Sequence, residues 1–370
     1  MNILKKAIEY IYNRHYTNIG LYLSQTFISR ICKTEYITPL MSNKITNDVI
    51  IPLDSELILN ILPKELENNI FHQLKKECNW VEMQHRGGTV PRLVCIQGDI
   101  NEDGDEPIYR HPVDAQPPLH QFSPTVQKII TIVSARIGHK LNHALIQLYR
   151  SGTDYISEHA DKTIDVKHGS NIVNLSIGAL RTMVLRPKRE NNKGKTPKPR
   201  TNTKISLPHN SLFILGWNTN LKMTHAIKQD KRPISQKTTE ELAYNGERIS
   251  LTLRNVATYI TKNGNLYGQG ACNKTKLTNE YKKKKKSSVN TGDIEEQQQL
   301  LLNAFSLENR CSDFDWDQNY GKGFDQLTFS AINGNNDVAS KKNSNSGNKT
   351  RAIFALFVSF LILNGLRHSI

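Results

Sequence analysis

His159 and Asp161 are the first residues whose types and spacing suggest chemistry. They stand two positions apart, soon after the apolar run ALIQLY at 144–149. On an extended chain, side chains two apart project from the same side. An imidazole and a carboxylate placed this way can reach one metal ion. Taken alone, His-x-Asp is a weak signal that a polar turn explains as well. A third donor, His225, follows the apolar stretch SLFILGW at 211–217. Two histidines and one carboxylate make the facial triad of non-haem Fe(II) oxygenases. Such a triad covers one side of an octahedral ion and leaves three positions open. A 2-oxo acid can fill two of them and O2 the third.

A second pattern lies downstream in RISLTLR, residues 248–254. Read as a strand, it puts Arg248, Ser250, Thr252 and Arg254 on one face and Ile249, Leu251 and Leu253 on the other. The polar face of an isolated strand is ordinarily its solvent face. Following a metal-ligand set, two arginines on one face can instead grip the carboxylate of a 2-oxo acid through forked hydrogen bonds.

With these pieces in order, the sequence resembles the AlkB-type Fe(II)- and 2-oxoglutarate-dependent dioxygenases. The matching text is QLYRSGTDYISEHAD (147–161), LSIGALRTMVLR (175–186), SLFILGW followed by His225, and RISLTLR. The resemblance covers about residues 76–262. It implies a mainly β fold with flanking helices, a double-stranded β-helix or jelly roll. It also implies that His159, Asp161 and His225 ligate Fe(II), with 2-oxoglutarate and O2 as co-substrates. Gln147, Tyr149 and Arg248 would hold 2-oxoglutarate, Ser250 and Thr252 would line its pocket, and Arg254 would orient Asp161. The stretch GGTVPRLVCIQGD (87–99) matches the family's substrate lid, notably Pro91-Arg92 and Gly98-Asp99. Tyr109 and His111 are candidates for stacking on a base. The implied reaction is oxidation of an N-methyl group on a nucleic-acid base, with loss of formaldehyde, in DNA repair or on RNA.

The sequence departs from the family at Gln147 and Ser250, where asparagine is usual. It departs again at Thr163, a position commonly acidic in DNA-repair members, where the acid reads the edge of the base. Asp165 is the nearby substitute. The same oxygenase chemistry on a protein or small molecule, and a nucleic-acid-binding barrel that no longer turns over, are the competing readings.

The elements that must position these residues are legible in part. Between 144 and 260, short β-rich runs separated by turn residues predict a sandwich or barrel: ALIQLY, IVNLSIG, TMVLR, SLFILGW and RISLTLRNVATY. Residues 124–140 predict an amphipathic helix opened by Pro124 and closed by Gly138. Residues 53–80 also predict helix, with Asp54 or Ser55 as one cap and Pro63 opening a second helix. EEQQQLLLNAF, near 295–305, predicts one more helix. The expected organisation is an N-terminal extension (1–75), the dioxygenase domain (76–262) and a polar, largely disordered C-terminal extension (263–370).

Composition sets the frame. The chain has 370 residues, 37% of them apolar, which fits a core of moderate size with polar additions. Five scattered cysteines (32, 78, 95, 272 and 311) argue against a disulfide scaffold and a cysteine zinc clip, and favour a reducing compartment. The net charge is +15. Residues 186–204 carry a net of +7 and Lys282–Lys286 add five more positive charges. Such clustering favours nucleic acid over membrane as partner; solvated loops are the plain alternative. The lysine run points to the nucleus. Residues 1–40 are compatible with an organelle presequence, an accessory helix, or a start at Met41. The uncharged stretch 352–366 is short for a membrane span; a short tail anchor, a helix docked on the core, and a sequence of no consequence are its candidate readings. A monomer is expected.

Overall fold

The computed structural model describes residues 54–85, 88–112, 117–189, 200–276 and 291–327. The expectations for residues 1–40, the Lys282–Lys286 run and the polar and apolar stretches after 330 lie outside them.

Two antiparallel sheets carry the fold. The larger runs in the order β1 (Glu56–Leu59), β11 (Ser211–Leu215), β8 (Ile172–Gly178), β13 (Arg248–Arg254), β6 (His143–Tyr149), β3 (Gly88–Gly98), β2 (Val81–His85), with β5 (Leu119–Gln121) parallel to β3. The smaller runs β10 (Thr203–Leu207), β9 (Arg181–Pro187), β12 (Met223–Ile227), β7 (Ile156–His159). A minor sheet joins β15 (Leu266–Gly268), β14 (Thr258–Ile260) and β4 (Glu106–Pro107). The α-helices are α1 (Lys64–Glu77), α2 (Pro124–Ile137), α3 (Trp217–Lys222), α4 (Thr239–Leu242), α5 (Thr291–Arg310) and α6 (Trp316–Tyr320). The crossing order of the strands makes this the double-stranded β-helix of the expected mainly β fold.

Alternation along the central strands decides what each face does. Ile146 and Leu148 of β6, Val173, Leu175 and Ile177 of β8, and Ile249, Leu251 and Leu253 of β13 point outward. There they pack on Ile70, Phe71 and Leu74 of α1 and Val126, Ile129 and Val133 of α2 in one buried cluster. The opposite face looks toward the smaller sheet. A second cluster closes that space with Tyr149, Ile172, Phe213 and Leu215 from one side and Met183, Leu185, Ile205 and Ile227 from the other. Arg248, Ser250 and Arg254 therefore face the interior and not solvent; Arg248 is 1% exposed and Arg254 2%.

Helix α2 follows its sequence signals. Pro124 opens it and Gly138 closes it in the left-handed region at φ 74, and the structure adds a cap from the Ser123 side chain, which accepts from the Val126 N–H. The stretch 53–80 behaves differently. Its first half forms β1, which pairs with the otherwise open edge of β11. Only the second half, after Pro63, is helical. The expected boundary at 76 thus falls inside α1, and the sheet already begins at Glu56. Asp54 does cap a helix, but a distant one. Its carboxylate accepts from the backbone N–H of Asn218 (2.7 Å) and Thr219 (3.1 Å) in α3. Downstream, α5 forms where the glutamine- and leucine-rich stretch predicted a helix. Leu301, Ala304 and Phe305 bury against Ile164, Phe314, Tyr320 and Phe324. The residues after 262 therefore include packed structure, because α5 has an apolar stripe with a partner on the core. Among the described residues, no helix is long and apolar enough to cross a membrane.

Asp54→Ala removes the cap of α3 and should cost about 0.5–2 kcal/mol of stability. Guanidinium denaturation measures this, and an unchanged midpoint would count against the cap.

Candidate active site

Strand pairing brings the two histidine candidates together. β12 runs antiparallel to β7 with His225 directly opposite His159, and their ring centroids are 4.3 Å apart. Asp161 follows two residues beyond the end of β7. Its Oδ1 lies 3.7 Å from His159 Nε2 and 3.9 Å from His225 Nε2. One ligand atom from each of the three residues lies within 4.8 Å of the others.

The surrounding bonds leave those atoms available. His159 Nδ1 lies 2.7 Å from the Ser157 carbonyl. A proton on Nδ1 satisfies that carbonyl and leaves the Nε2 lone pair facing Asp161. Arg254 donates from Nη2 to Asp161 Oδ2 at 2.8 Å, so Oδ1 is the free oxygen. The backbone of Asp161 is held at both ends by Asn220 of α3, which accepts from its N–H and donates to its carbonyl, each at 3.0 Å. Burial pushes His159 down to about 3, helped by His225. Burial likewise lowers His225. Both imidazoles are therefore neutral, as metal ligands must be. Burial would raise the Asp161 carboxyl, but the charge of Arg254, which also donates to it, holds it well below the usual carboxylate range. A neutral, neutral, anionic N2O set with one face open fits Fe(II).

The inner face of the larger sheet forms the adjoining wall of a cavity of about 470 Å³. Gln147, Tyr149, Arg248, Ser250, Thr252 and Arg254 all line it, as do the three ligand candidates. Arg248 Nη2 donates to Asn174 Oδ1 (3.1 Å) and Ser176 Oγ (2.8 Å), while its Nε and Nη1 are buried without a partner. Burial lowers this guanidinium to about 10, still far above neutrality, so it is a cation. A buried cation with two unmatched donors is costly unless an anion meets it, and a carboxylate of 2-oxoglutarate fits that need. Arg254 likewise keeps Nε and Nη1 unmatched, and its guanidinium lies 3.8 Å from the centre of the Tyr109 ring.

Asn174, from β8, is a residue the sequence reading missed. It donates to Ser250 Oγ (2.8 Å) and Thr252 Oγ1 (3.1 Å) while accepting from Arg248. The network expected to be thinned at Ser250 is thus tied together by an amide on the neighbouring strand. The available signal was a lone polar residue inside IVNLSIG. Asn220 carried no comparable signal, because its role exists only once α3 meets the loop after β7.

Other expectations divide. Arg92 lines the cavity and donates to the Tyr155 carbonyl at 2.9 Å. Gln147, with its amide oxygen turned toward that guanidinium, accepts from Arg92 Nε at 2.9 Å. Pro91-Arg92 is at the cavity, whereas Gly98-Asp99 is not: Gly98 pairs with His143 at the far end of β3 and Asp99 binds Lys140. Tyr109 and His111 line the cavity, stacked on each other at 5.5 Å. Tyr109 is already engaged by Arg254 and by the Lys162 N–H. Thr163 does not reach the cavity. It is wholly buried and donates both its N–H and its hydroxyl to Glu308 of α5. Asp165 cannot replace it, because a forked pair with Arg110 (3.0 and 2.7 Å) holds it in the interior.

The family described as the 2OG-Fe(II) oxygenase superfamily matches residues 54–254. The human protein "DNA oxidative demethylase ALKBH2" is 31% identical over 197 residues, 51% of this chain and 68% of that one. Its bovine counterpart is 30% identical over 197 residues, 51% of this chain and 64% of its own length. Among solved structures, OsALKBH1 aligns over 56% of this chain and 100% of its own, at TM-score 0.38 and 14% identity.

The buried imidazoles have a consequence for acid stability. Burial pushes His111 down to about 4 and His143 well below the usual imidazole range, besides His159 and His225. Below the ordinary value of about 6.5 the unfolded chain takes up protons that the fold refuses, so stability falls as pH drops. Asp161 loses its contribution only at more acid pH. The chelator-treated protein should melt at a lower temperature at pH 5.5 than at pH 7.5. His143→Leu should shallow the decline by about 1.4 kcal/mol per pH unit below 6.5.

Proposed function

The chain belongs to the 2OG-Fe(II) oxygenase superfamily as an AlkB-like Fe(II)- and 2-oxoglutarate-dependent dioxygenase, and we propose that its substrate is nucleic acid carrying N-alkylated bases, DNA first. One observation carries the chemistry: three ligand atoms converge at the end of a cavity whose wall holds two buried arginines with unmatched donors. Similarity to proteins named as DNA oxidative demethylases supports the substrate class.

In this reading His159, Asp161 and His225 hold Fe(II), which with 2-oxoglutarate and O2 supplies the oxidant for an N-methyl carbon; formaldehyde then leaves. Arg248 pairs with the distal carboxylate of 2-oxoglutarate, and Asn174 and Ser176 aim the guanidinium. Arg254 keeps Asp161 ionised and turned. Tyr149, whose ring centre lies 5.2 Å from the Arg248 guanidinium, walls the co-substrate in. Arg92, Pro91 and His111 border the space left for the alkylated base, which must leave its stack to enter.

The basic stretch 186–204 is a candidate phosphate contact, and the described parts refine it. Arg186 is paired with Glu158 at 2.9 Å and Lys188 is buried. The cations left for phosphates are therefore Arg189, Arg200, Lys204 and those of 190–199. A nuclear location agrees with this reading. One observation favours the alternative of the same chemistry on RNA, a protein or a small molecule: Thr163 faces away from the cavity and Asp165 is sequestered, so neither supplies an acid to read a base.

Formaldehyde release from oligonucleotides containing 1-methyladenine or 3-methylcytosine tests the proposal, with Asp161→Ala as control. Release by the wild type alone is expected; succinate formation without release from either oligonucleotide would overturn the substrate. Arg248→Ala should raise the KM for 2-oxoglutarate by about 10-fold or more, since it deletes a charge-assisted pair worth about 1.5–3 kcal/mol. Replacing Lys193, Lys195 and Lys198 together by Gln should weaken oligonucleotide binding and flatten its salt dependence. Unchanged binding would remove this segment from the interface.

A further inference from the structure

The loop that follows β7, Ala160–Thr163, has no strand beside it, yet it carries Asp161 and sets the exit direction of His159. Buried backbone N–H groups need partners, and side chains supply all four. Asn220 takes the Asp161 N–H and the Tyr109 hydroxyl takes that of Lys162. The other two go to α5. Asn309 Oδ1 accepts from the Ala160 N–H at 3.0 Å, and Glu308 Oε1 accepts from the Thr163 N–H at 3.0 Å.

The contact is more than two backbone bonds. Lys162 is 3% exposed, and its ammonium donates to the same Asn309 oxygen at 2.5 Å and to the Ala160 carbonyl at 3.2 Å. Glu308 is wholly buried, and its second oxygen accepts from the Tyr320 hydroxyl at 2.8 Å. Asn309 also lines the cavity. Helix α5 begins 37 residues after the stretch matched by the family ends at 254.

We propose that α5 is a working part of the active site, with Asn309 and Glu308 as positioning residues that fix the loop bearing His159 and Asp161 for metal binding. The inference rests on His159, Asp161 and His225 being the iron ligands. It reaches beyond that assignment by giving the C-terminal segment a share in the metal centre. Docking and positioning are separable on this helix. Leu301, Ala304 and Phe305 hold it to the core through apolar contacts, whereas Asn309 contributes polar bonds to the loop. Outer partners of metal ligands typically contribute 10- to 100-fold in metal affinity.

The test is the dissociation constant for Mn(II), a redox-stable stand-in for Fe(II), measured on the full chain by titration with 2-oxoglutarate present. Melting temperature is recorded alongside. Asn309→Ala should weaken Mn(II) binding about 10-fold or more. Asn309→Asp keeps an acceptor oxygen for Ala160 and Lys162, and should stay within about threefold of the wild type. A smaller loss in Asn309→Ala, or an equal loss in both variants, overturns the proposal, because the helix would then act only as packing. Asp161→Ala separates the two readings. If it binds Mn(II) like the wild type, the ligand assignment fails and this inference with it. If it loses Mn(II) while Asn309→Ala does not, only the positioning role fails.

Discussion

The bond from Arg254 to Asp161 ties the two sheets to one purpose. Arg254 closes the central strand of the larger sheet, and Asp161 sits on the loop leaving the smaller one. Both are buried, and the 2.8 Å contact does three things together. It holds the carboxylate ionised against the upward push of burial. It occupies Oδ2, so that Oδ1 faces the two imidazoles. It also gives a buried guanidinium its counter-charge. An ion pair of this kind is poor as a source of stability and strongly destabilising to break. Its place in this fold is better explained by the geometry it imposes on the site.

That geometry depends on a division of labour across β13 and its neighbours. Outward side chains supply the apolar cluster with α1 and α2, and that burial supplies the main driving force for folding. Inward side chains can then be polar without loss of the fold. Asn174 links Ser250, Thr252 and Arg248 by hydrogen bonds, and Arg254, paired with Asp161, completes this lining. Its remaining unmatched donors belong to the arginines, where an anionic co-substrate would bind. The strain of burying two cations is thus concentrated where a ligand can relieve it.

The loop after β7 shows a different solution. A metal-bearing turn cannot rely on ladder bonds, so it draws partners from α3, from Tyr109 and from α5. The Arg110–Asp165 pair then fastens the next turn to the segments around Gly270 and Phe324, whose carbonyls accept from the same guanidinium. Elements far apart in the chain converge on four residues, which makes the site rigid at the cost of long-range closure.

Much of this was legible beforehand because it follows from local periodicity. The alternation of RISLTLR, the His-x-Asp pair on an extended run, and the Pro124 and Gly138 bounds of α2 each depend on neighbours in sequence. The apolar runs that became β6, β8, β9 and β11 belong here too. Tertiary structure decided the rest. ELIL joins an open sheet edge and becomes a strand, though its composition also allows helix. Asp54 caps a helix whose first residue lies 163 positions away. Thr163 and Asp165 turn inward because Glu308 and Arg110 wait for them there, and neither partner is near them in the chain. Residue types and short spacings therefore determined the chemistry available to this protein. Which polar groups face the cavity, and which are consumed in holding it, was decided by contacts between distant segments, since a buried donor or charge takes whatever partner the fold brings within reach.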